Sequence, residues 1–347
     1  MKILITGNMG YIGPVVVDHV RKHIPDAKIY GFDTGYFATN LIEPGKLPEQ
    51  KLNAQYFGDV RQFPAEILEN IDAVIYLAAI SNDPMGNAYE KATHEINAQC
   101  TIQIAEMAKA KQVKSFVFAS SCSMYGYAEG GARSETDALN PLTAYAKSKV
   151  AAEIGLQKLA ATDFTITCLR FATACGFSPR IRLDLVLNDF VASALVNKKI
   201  EILSDGTPWR PLIHVQDMAR ALHWACIRTS DIGGAFLAVN TGSNTWNYQV
   251  KDLAAAVQKE LAGVSISINP HAAPDKRSYQ VAFDLFAKLA PAHQPQVDLS
   301  SAVRDIATGL QKAHFADSDF RNSQYIRLKV LAQHQKENRL NADLFWQ

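Results

Sequence analysis

A tyrosine and a lysine four residues apart, Tyr145 and Lys149 in the segment YAKSK, form a pair that could move a proton. Asn140 can cap a helix here and Pro141 suits its first turn, so both side chains would share one helix face. A lysine ammonium near a phenol favours the phenolate and lowers the tyrosine pKa from its usual value of about 10. Such a tyrosine can take a proton from a hydroxyl while hydride leaves the same carbon. A tyrosine–lysine pair on an ordinary helix surface would have the same sequence, so the pair alone decides nothing.

A glycine-rich turn near the start of the chain predicts a nucleotide site. An apolar strand candidate leads into Gly7, Gly10 and Gly13, and a helical pattern follows. The three glycines permit a tight turn, close approach of a pyrophosphate and close helix–strand packing, and the helix N-terminus supplies N–H groups to phosphates. The second strand ends at Asp33, whose carboxylate can accept hydrogen bonds from a ribose 2′-OH and would repel a 2′-phosphate, which favours NAD over NADP. A similar turn that binds no nucleotide is the alternative.

Short apolar runs alternate with longer helical patterns over the first half of the chain. The strand candidates are 2–6, 28–32, 73–78, 115–120 and 164–170. The helix candidates are 12–23, 88–111 and 141–161. This alternation predicts an α/β fold, a Rossmann doubly wound parallel sheet with a smaller C-terminal α/β substrate-binding lobe.

The pattern changes after about residue 171, where polar loops separate shorter elements. Here the helix candidates are 184–196, 215–228 and 248–261, and the strand candidate is 264–269. We predict an NAD-binding domain over 1–172, to which segments around 211–240 return. A mainly substrate-binding lobe would cover 173–320, and a helical tail would cover 321–347.

The composition excludes several classes of protein. The chain has 347 residues, 48% of them hydrophobic, and a net charge of +1, so no broad basic field attracts nucleic acid. Its five cysteines lack CxxC spacing, which indicates a reducing compartment and no metal site. The first apolar run is too short for a signal peptide and no run of 18 apolar residues follows, so we expect a cytoplasmic protein without a membrane partner.

A series of motifs then gives a resemblance to a known family. In chain order they are GDV (58–60), YLAA (76–79), HEINAQC (94–100), SSCSMYG (120–126), YAKSK (145–149) and DGTPWRPLIHVQDMA (205–219). With the spacing Gly-x-x-Gly-x-x-Gly, this order resembles the extended short-chain dehydrogenase/reductase family, in its NAD-dependent nucleotide-sugar epimerase/dehydratase branch. The likeness, to enzymes such as UDP-glucose 4-epimerase, spans roughly residues 1–285.

The resemblance implies NAD as the cofactor and a nucleotide sugar as the substrate. It implies three catalytic residues: Tyr145, Lys149 and Ser121, whose hydroxyl would bridge the substrate oxygen and the tyrosine. The implied cofactor contacts are Gly7, Met9, Gly10, Tyr11, Ile12, Gly13, Asp33, Asp59, Val60, Leu77, Ala78, Ala79, Asn97, Ser120, Tyr145 and Lys149.

The substrate contacts are predicted from the same likeness. They are Ser81, Ser121, Cys122, Ser123, Tyr145, Thr173, Asn188, Arg210 and Arg277. Arginines suit a diphosphate because they can bind it in a bidentate manner. Arg180 and Arg182 are further candidates without an assigned role, and His214 is interpreted as a structural residue. The segment 169–184 departs from the family's pattern, with Thr173 where many members have asparagine, so the sugar stays open.

Two residues bear on the type of reaction. The family's 4,6-dehydratases have acidic residues directly after the position of Ser121, and this chain has Cys122 and Ser123 there. A thiol and a hydroxyl replace a carboxylic acid poorly, so the sequence disfavours dehydration and favours epimerisation, with oxidation at C4 followed by re-reduction. A net nucleotide-sugar oxidoreductase is the alternative. A non-catalytic NAD-binding protein is a third possibility, but such proteins usually lack the tyrosine–lysine pair.

The helices predicted at 88–111 and 141–161 carry more apolar positions than one sheet face would cover. We therefore predict a homodimer in which these helices pair across a two-fold axis into a four-helix contact, as the resemblance also implies.

Overall fold

A computed structural model describes residues 1–128, 130–269, 272 and 278–347. Its strands are β1 Lys2–Thr6, β2 Lys28–Asp33, β3 Ala54–Phe57, β4 Ala73–Tyr76, β5 Ser115–Ser121, β6 Ala132–Arg133, β7 Thr165–Phe171, β8 Thr173–Cys175, β9 Lys199–Ile202, β10 Trp209–His214, β11 Phe236–Thr241, β12 Asn247–Gln249, β13 Ser265–Ile268 and β14 Gln280–Val281. Its helices are α1 Gly13–His23, α2 Asp83–Ala88, α3 Glu90–His94, α4 Cys100–Ala110, α5 Ala144–Gln157, α6 Val186–Asn197, α7 Val215–Ile227, α8 Val250–Glu260, α9 Asp284–Leu289, α10 Leu299–Lys312 and α11 Arg327–Lys336.

A parallel sheet organises the first half of the chain, which confirms the predicted Rossmann architecture. Within the described residues it has seven strands in the order β11-β7-β5-β4-β1-β2-β3. The strand order reverses beside β1, which pairs with β2 on one side and with β4 on the other. In such sheets the crevice at the carboxyl ends of the strands on either side of this reversal is the usual ligand site.

Both faces of the sheet are covered by helices. Successive residues of β1 alternate between the two faces, with Ile3 in one apolar cluster and Leu4 in the other. The first cluster includes residues of α1 and α7, and the second includes residues of α4 and α5. Burial on both faces explains why these strands are continuous apolar runs in the sequence.

The predicted helix over 88–111 is interrupted. It consists of α3, one π-helical turn at Glu95–Gln99, and α4. Such turns insert an extra residue into the helix and change the direction of the side chains on either side. Here the π-helical turn contains Asn97, one of the predicted cofactor contacts.

The helix with Tyr145 begins later than predicted. Its N-cap is Thr143, whose hydroxyl accepts a hydrogen bond from the Ala146 N–H at 3.2 Å. The prediction that Asn140 caps this helix and that Pro141 lies in its first turn was therefore wrong. A threonine hydroxyl satisfies the free N–H groups of a first turn as an asparagine would.

The second lobe is built from smaller sheets and three helices. β8, β10 and β12 form one sheet, while β9 and β13 form a second one. The helices α6, α8 and α10 contribute the apolar cluster of this lobe, with residues such as Leu187, Leu253 and Ile306. β8 follows β7 directly in the sequence, so the first strand of this lobe extends from the edge of the crevice.

The C-terminal segment is only partly helical, unlike the predicted helical tail. α11 covers Arg327–Lys336, and the chain after it ends in a β-bridge between Leu340 and Trp346. Leu331 and Leu344 are fully buried in the apolar cluster that includes Leu4 of β1. Full burial of one such side chain contributes about 1.5–3 kcal/mol, so this segment is an integral part of the first lobe.

None of the helices in the described part of the chain is long and apolar enough to cross a membrane.

Candidate active site

The glycine turn at the end of β1 lies directly against the end of β4. Gly7 has a φ of +72°, and a Cβ atom on it would lie 2.5 Å from the backbone nitrogen of Ala78. A Cβ on Gly13 would lie 2.0 Å from the carbonyl oxygen of Asn8. Gly13 is therefore required by the turn itself, rather than by packing of the helix on the strand as predicted.

A pocket opens at this turn, in the crevice beside β1. Many of the predicted cofactor contacts line it together: Gly7, Gly10, Tyr11, Ile12, Asp33, Asp59, Val60, Leu77, Ala78 and Ala79. Ser81, predicted to contact the substrate, lines it as well, and so do Arg182 and Arg327. The cradle that side chains at the glycines would fill, with Asp33 along the same wall, fits a dinucleotide.

Asp33 ties the end of β2 to the glycine turn. Its carboxylate accepts hydrogen bonds from the backbone N–H of Met9 at 2.9 Å and of Gly35 at 2.7 Å. Burial raises the pKa of Asp33 above its usual range, and these two hydrogen bonds oppose the rise. Met9 is buried and does not line the pocket, so its part is to hold Asp33 rather than to contact the cofactor as predicted.

Asp59 is held by a neighbouring arginine. It accepts a hydrogen bond from the backbone N–H of Arg61 at 2.8 Å and forms an ion pair with the guanidinium of Arg61 at 2.6 Å. Both partners are largely buried. The pair keeps the loop after β3 in place at the wall of the pocket.

Asn97 connects two loops instead of lining the pocket, contrary to the predicted cofactor contact. Its side chain accepts a hydrogen bond from the Ile80 N–H at 2.9 Å and donates to the Ile80 carbonyl at 3.0 Å and to Ser148 Oγ at 3.1 Å. Asn97 is fully buried, and both the oxygen and the nitrogen of its side-chain amide are used in these hydrogen bonds. It fixes the loop after β4 relative to α5.

Ser120 is also directed away from the pocket. Its hydroxyl donates a hydrogen bond to the Glu153 carboxylate at 2.6 Å, and Glu153 forms a buried ion pair with Arg170 at 2.7 Å. The prediction that the Ser120 side chain contacts the cofactor is therefore not supported. Strand alternation explains the difference, because Ser120 and Ser121 point to opposite faces of β5.

The structure brings Ser121, Tyr145 and Lys149 together. Ser121 ends β5, while Tyr145 and Lys149 lie one turn apart in α5. The Ser121 hydroxyl is close enough to the Tyr145 phenol to lower its pKa, and the Lys149 Nζ lies 5.6 Å from the centre of the Tyr145 ring. None of the three lines the pocket, although Arg182, which does, is close enough to Tyr145 to influence its pKa.

Burial dominates the charge states of this pair. It raises the pKa of Tyr145 to about 12, and the hydrogen bond with Ser121 opposes the rise. It lowers the pKa of Lys149 to about 7. Lys149 donates to the carbonyl of Ala119 at 2.7 Å and lies 4.5 Å from the ring centre of Phe118. The prediction that Lys149 lowers the tyrosine pKa was therefore wrong for the protein without cofactor.

A network beside Tyr145 positions its helix. Thr143, the N-cap of α5, donates its hydroxyl to the Asp83 carboxylate at 2.7 Å. A Cβ on Gly86 would lie 3.0 Å from Tyr145, so α2 packs closely against the tyrosine. The Asp83 charge also raises the pKa of Tyr145. Thr143 and Asp83 lie 60 positions apart, so this contact has no local signal in the sequence.

Arg182 connects this network to the pocket. Its guanidinium pairs with Asp184 at 2.9 Å and donates to Ser81 Oγ at 3.1 Å. Asp184 in turn accepts a hydrogen bond from the Asn82 side chain at 2.8 Å. The family resemblance assigned no role to Arg182. The structure places this side chain between the pocket and Tyr145.

Two predicted substrate contacts are buried parts of the scaffold. The thiol of Cys122 is fully buried and donates to the carbonyl of Arg170 at 3.0 Å. The Asn188 side chain is fully buried and accepts a hydrogen bond from the Gly176 N–H at 3.0 Å, while donating to the Arg182 carbonyl at 2.9 Å. Both predictions are therefore corrected, because each side chain is fully buried and hydrogen-bonded within the protein.

The remaining predicted substrate contacts have different outcomes. Ser123 accepts a hydrogen bond from the Ser121 hydroxyl at 2.9 Å, and Thr173 is partly exposed at the start of β8. Arg210 donates a hydrogen bond to the Trp209 carbonyl at 2.9 Å. Arg210 and Tyr145 both lie close enough to the buried Tyr279 to shift its pKa, which Arg210 lowers and Tyr145 raises. Arg277 lies outside the described residues.

His214 is structural, as predicted. It is buried, and its Nε2 lies 3.0 Å from the Asp305 carboxylate, which also accepts a hydrogen bond from the Phe177 N–H at 2.8 Å.

Comparison with known proteins complements this geometry. The family model described as NAD dependent epimerase/dehydratase family matches residues 3–238. The chain is 30% identical to the uncharacterized UDP-glucose epimerase YtcB of Bacillus subtilis (strain 168) over 234 residues, which cover 64% of this chain and 71% of that protein.

Two solved structures share the fold. UDP-glucuronic acid 4-epimerase from Bacillus cereus, in complex with UDP-glucuronic acid and NAD, has a TM-score of 0.75 at 23% identity, covering 90% of this chain and 99% of its own. TunA, an NAD-dependent NDP-hexosamine 5,6-dehydratase, has a TM-score of 0.78 at 20% identity, covering 92% of this chain and 99% of its own. The shared fold thus includes both epimerases and dehydratases and does not by itself choose between them.

Proposed function

Because this chain belongs to the NAD-dependent epimerase/dehydratase family, we propose that it is a nucleotide-sugar 4-epimerase. The family makes it an NAD-dependent enzyme of the extended short-chain dehydrogenase/reductase type. In the proposed reaction the C4 hydroxyl of the sugar is oxidised to a ketone, which is re-reduced from its other face. The substrate would be a nucleoside-diphosphate sugar, in line with the UDP-sugar enzymes among its relatives.

The environment of Ser121 is the observation that carries this proposal. At the two positions where the family's 4,6-dehydratases have acids, Cys122 is buried in the scaffold and Ser123 is hydrogen-bonded to Ser121. Asp83 is the carboxylate that acts most strongly on Tyr145, and it accepts a hydrogen bond from the N-cap of the same helix. The site therefore has a proton acceptor for oxidation but no carboxylic acid at the positions that would expel water.

The three catalytic side chains have separate tasks in this mechanism. Ser121 donates a hydrogen bond to the oxygen at C4 and orients it toward Tyr145. Tyr145 takes the proton of that hydroxyl and returns it when the ketone is reduced. Lys149, held by the carbonyl of Ala119, keeps a positive charge or a hydrogen-bond donor near the phenol.

Tyr145 has to lose its own proton before it can act as a base. With a pKa raised to about 12 by burial, it is a neutral phenol at pH 7 in the protein without cofactor. When bound, oxidised NAD supplies the hydride acceptor and a positively charged ring, which would favour the phenolate. Catalysis therefore requires that the loaded site lower the tyrosine pKa.

A net nucleotide-sugar oxidoreductase is the second candidate. The same three side chains would support it, and the difference lies in whether the reduced cofactor leaves before the ketone is reduced. We favour epimerisation because relatives named as 4-epimerases of UDP-sugars match this chain in sequence and in fold.

We also propose a homodimer formed through α4 and α5. Ile154 of α5 is 55% exposed, and Ile102 of α4 packs against Gly155 beside it. The resemblance to a family whose members often pair these two helices across a two-fold axis supports the same interface.

The proposed reaction is tested by incubating the purified enzyme with a panel of UDP-, dTDP- and GDP-sugars. Nicotinamide absorbance and the NMR spectrum of the sugar are followed together. We expect interconversion of C4 epimers without stoichiometric NADH. Stoichiometric NADH with an accumulating keto or acid sugar would establish the oxidoreductase instead, and loss of water from the sugar would contradict both.

A further inference from the structure

Arg327 is a buried arginine that the catalytic mechanism does not use. It is the first residue of α11, is 1% exposed, and lines the cofactor pocket. Its guanidinium donates from Nη2 to the Arg180 carbonyl at 2.8 Å and lies 4.5 Å from the ring centre of Phe37. Among the residues that the structure describes, its Nη1 has no hydrogen-bond partner. An unsatisfied buried donor on a charged group is costly, so a ligand is expected to satisfy it.

The charged groups around Arg327 also favour the binding of an anion next to it. Arg180 is paired with Glu49 at 2.6 Å, and Arg182 is paired with Asp184 at 2.9 Å. Within residues 1–128, 130–269 and 278–347, no ion pair is formed by Arg327. Burial and the charges of Arg182 and Arg180 together lower its pKa to about 9, while the carboxylates of Asp184 and Asp33 oppose the fall. A bound anion would relieve both effects.

The position of Arg327 indicates which anion this is. The pocket it lines also contains Gly10, Tyr11 and Ile12 of the glycine turn, at the N-terminus of α1, where the diphosphate of a dinucleotide binds. Asp33, in the same wall, would repel a 2′-phosphate. We propose that Arg327 binds the diphosphate of NAD, so that the C-terminal segment contributes directly to the cofactor site. This rests on the NAD dependence of the family and holds whichever sugar reaction is catalysed.

The segment that carries Arg327 is anchored on both loops at the adenosine end. Beyond α11, the Leu344 carbonyl accepts a hydrogen bond from the Tyr36 hydroxyl, and the Asp343 carbonyl accepts one from Arg61 at 2.6 Å. The Arg61 guanidinium also lies 3.5 Å from the ring centre of Phe345. These contacts hold the arginine in place before the cofactor arrives, which reduces the entropy cost of binding.

The test compares ligands with and without a diphosphate. Cofactor-stripped wild type and Arg327→Gln are titrated calorimetrically with NAD, ADP-ribose and adenosine. We expect the variant to bind NAD and ADP-ribose about 10- to 100-fold more weakly, with less than about a twofold change for adenosine. The control is Lys329→Gln, which removes the same charge from an exposed position of the same helix and should change no affinity.

Melting temperatures separate binding from folding. Without cofactor, Arg327→Gln should melt no lower than wild type, because it removes an uncompensated buried charge, and its NAD-induced rise should be smaller. Should this variant fold poorly, the ratio of NAD to adenosine affinity is measured on Arg327→Met, which keeps the apolar stem over Phe37.

An unchanged ratio, or an equal loss for adenosine, would overturn the proposal. It would also be overturned if wild type preferred NADP and Arg327→Gln abolished that preference, since the anion would then be the 2′-phosphate. These binding data do not depend on turnover, so a protein that binds NAD through Arg327 but epimerises no sugar would contradict only the proposed reaction.

Discussion

Lys149 shows how burial rather than sequence spacing decides the chemistry of a side chain. Spacing predicted that it would meet Tyr145 on one helix face, and the two do lie together. It could not predict that Lys149 would be buried and Tyr145 largely covered, because the residues that cover them come from other elements. Burial shifts each group toward its neutral form, which lowers the lysine pKa and raises the tyrosine pKa.

The lowered pKa of Lys149 predicts a pH dependence of stability in the cofactor-free protein. Between the folded value of about 7 and the ordinary 10.5, the unfolded chain holds the proton more tightly, so the free energy of unfolding rises with pH. Below about pH 7 both states are protonated and the penalty is complete. Relative to Lys149→Met, wild type should gain up to about 2 kcal/mol between pH 7 and 9.

Urea unfolding at several pH values measures this difference. Lys147→Met, at an exposed position of the same helix, is the control and should follow wild type. If the free energy of unfolding changed equally with pH in wild type and in Lys149→Met, the shifted pKa of Lys149 would be contradicted.

Tyr145 is expected to be indispensable for turnover. Tyr145→Phe removes the group that takes and returns the proton, so kcat should fall about 10²- to 10⁴-fold while the NAD affinity changes little. Initial rates with the sugar identified in the panel, together with NAD titrations, measure both quantities. Tyr127→Phe, at a tyrosine that is 48% exposed, should keep full activity. Retained turnover in Tyr145→Phe would rule out the proposed base.

Residue types in a motif predicted part of the site but not its inner scaffold. Gly7, Gly10, Asp33 and Asp59 line the pocket as expected from the glycine turn and the resemblance, whereas Gly13 does not. Four other predicted contacts instead form hydrogen bonds within the protein: Asn97, Ser120, Cys122 and Asn188. Their residue types suit either role, and only the surrounding structure distinguishes a ligand contact from a scaffold residue.

At the scale of elements, parallel strands were the most predictable part of the chain. Each predicted strand of the central sheet begins and ends within two residues of its observed bounds, because full burial makes the strand apolar throughout. The start of α5 was less predictable, since Asn140 and Thr143 are both good caps and the choice depends on Asp83, a distant partner of Thr143.

That choice of cap predicts a combined loss of stability and activity in Thr143→Val. The substitution keeps the shape but removes the hydroxyl that accepts from Ala146 and donates to Asp83. We expect the free energy of unfolding to fall by about 1–2 kcal/mol. Because Tyr145 lies in the first turn of this helix, kcat should also fall severalfold.

Chemical unfolding and initial rates measure the two effects, and Thr143→Ser, which restores the hydroxyl, should recover both. A loss of activity that serine does not recover would argue against positioning by this cap.

The C-terminal segment was the least predictable element. Its polar, basic sequence has no motif and predicted a helical tail. The segment buries Arg327, Val330, Leu331 and His334 in α11, and Leu340 and Leu344 after the helix ends. In α11 the buried positions stand at i, i+3, i+4 and i+7, which is the helical period. After the helix the two buried leucines follow no such period, and only the surface that they contact explains them.

At the scale of the whole molecule, the proposed dimer predicts a specific sensitivity of α5. Wild type should have the mass of a dimer in size-exclusion chromatography with light scattering at micromolar concentration. Ile154→Asp should have the mass of a monomer, because it places a charge in the centre of an apolar contact. Ile227→Asp, at a similarly exposed isoleucine of α7, is the matched control and should remain a dimer. A monomeric wild type would exclude this interface.

The anchoring of the C-terminal segment also has a consequence for the order in which the protein folds. Tyr36 and Leu344 are 308 positions apart, and Thr34 and Trp346 are 312 positions apart. Contacts so distant in sequence form late, after the more local βα units have assembled. During refolding, the sheet and the glycine turn should therefore exist for a time without the C-terminal segment packed against them, and NAD could reach the glycine turn from that side. The last contacts would then bring Arg327 to the pocket, so full NAD affinity should appear only when they have formed.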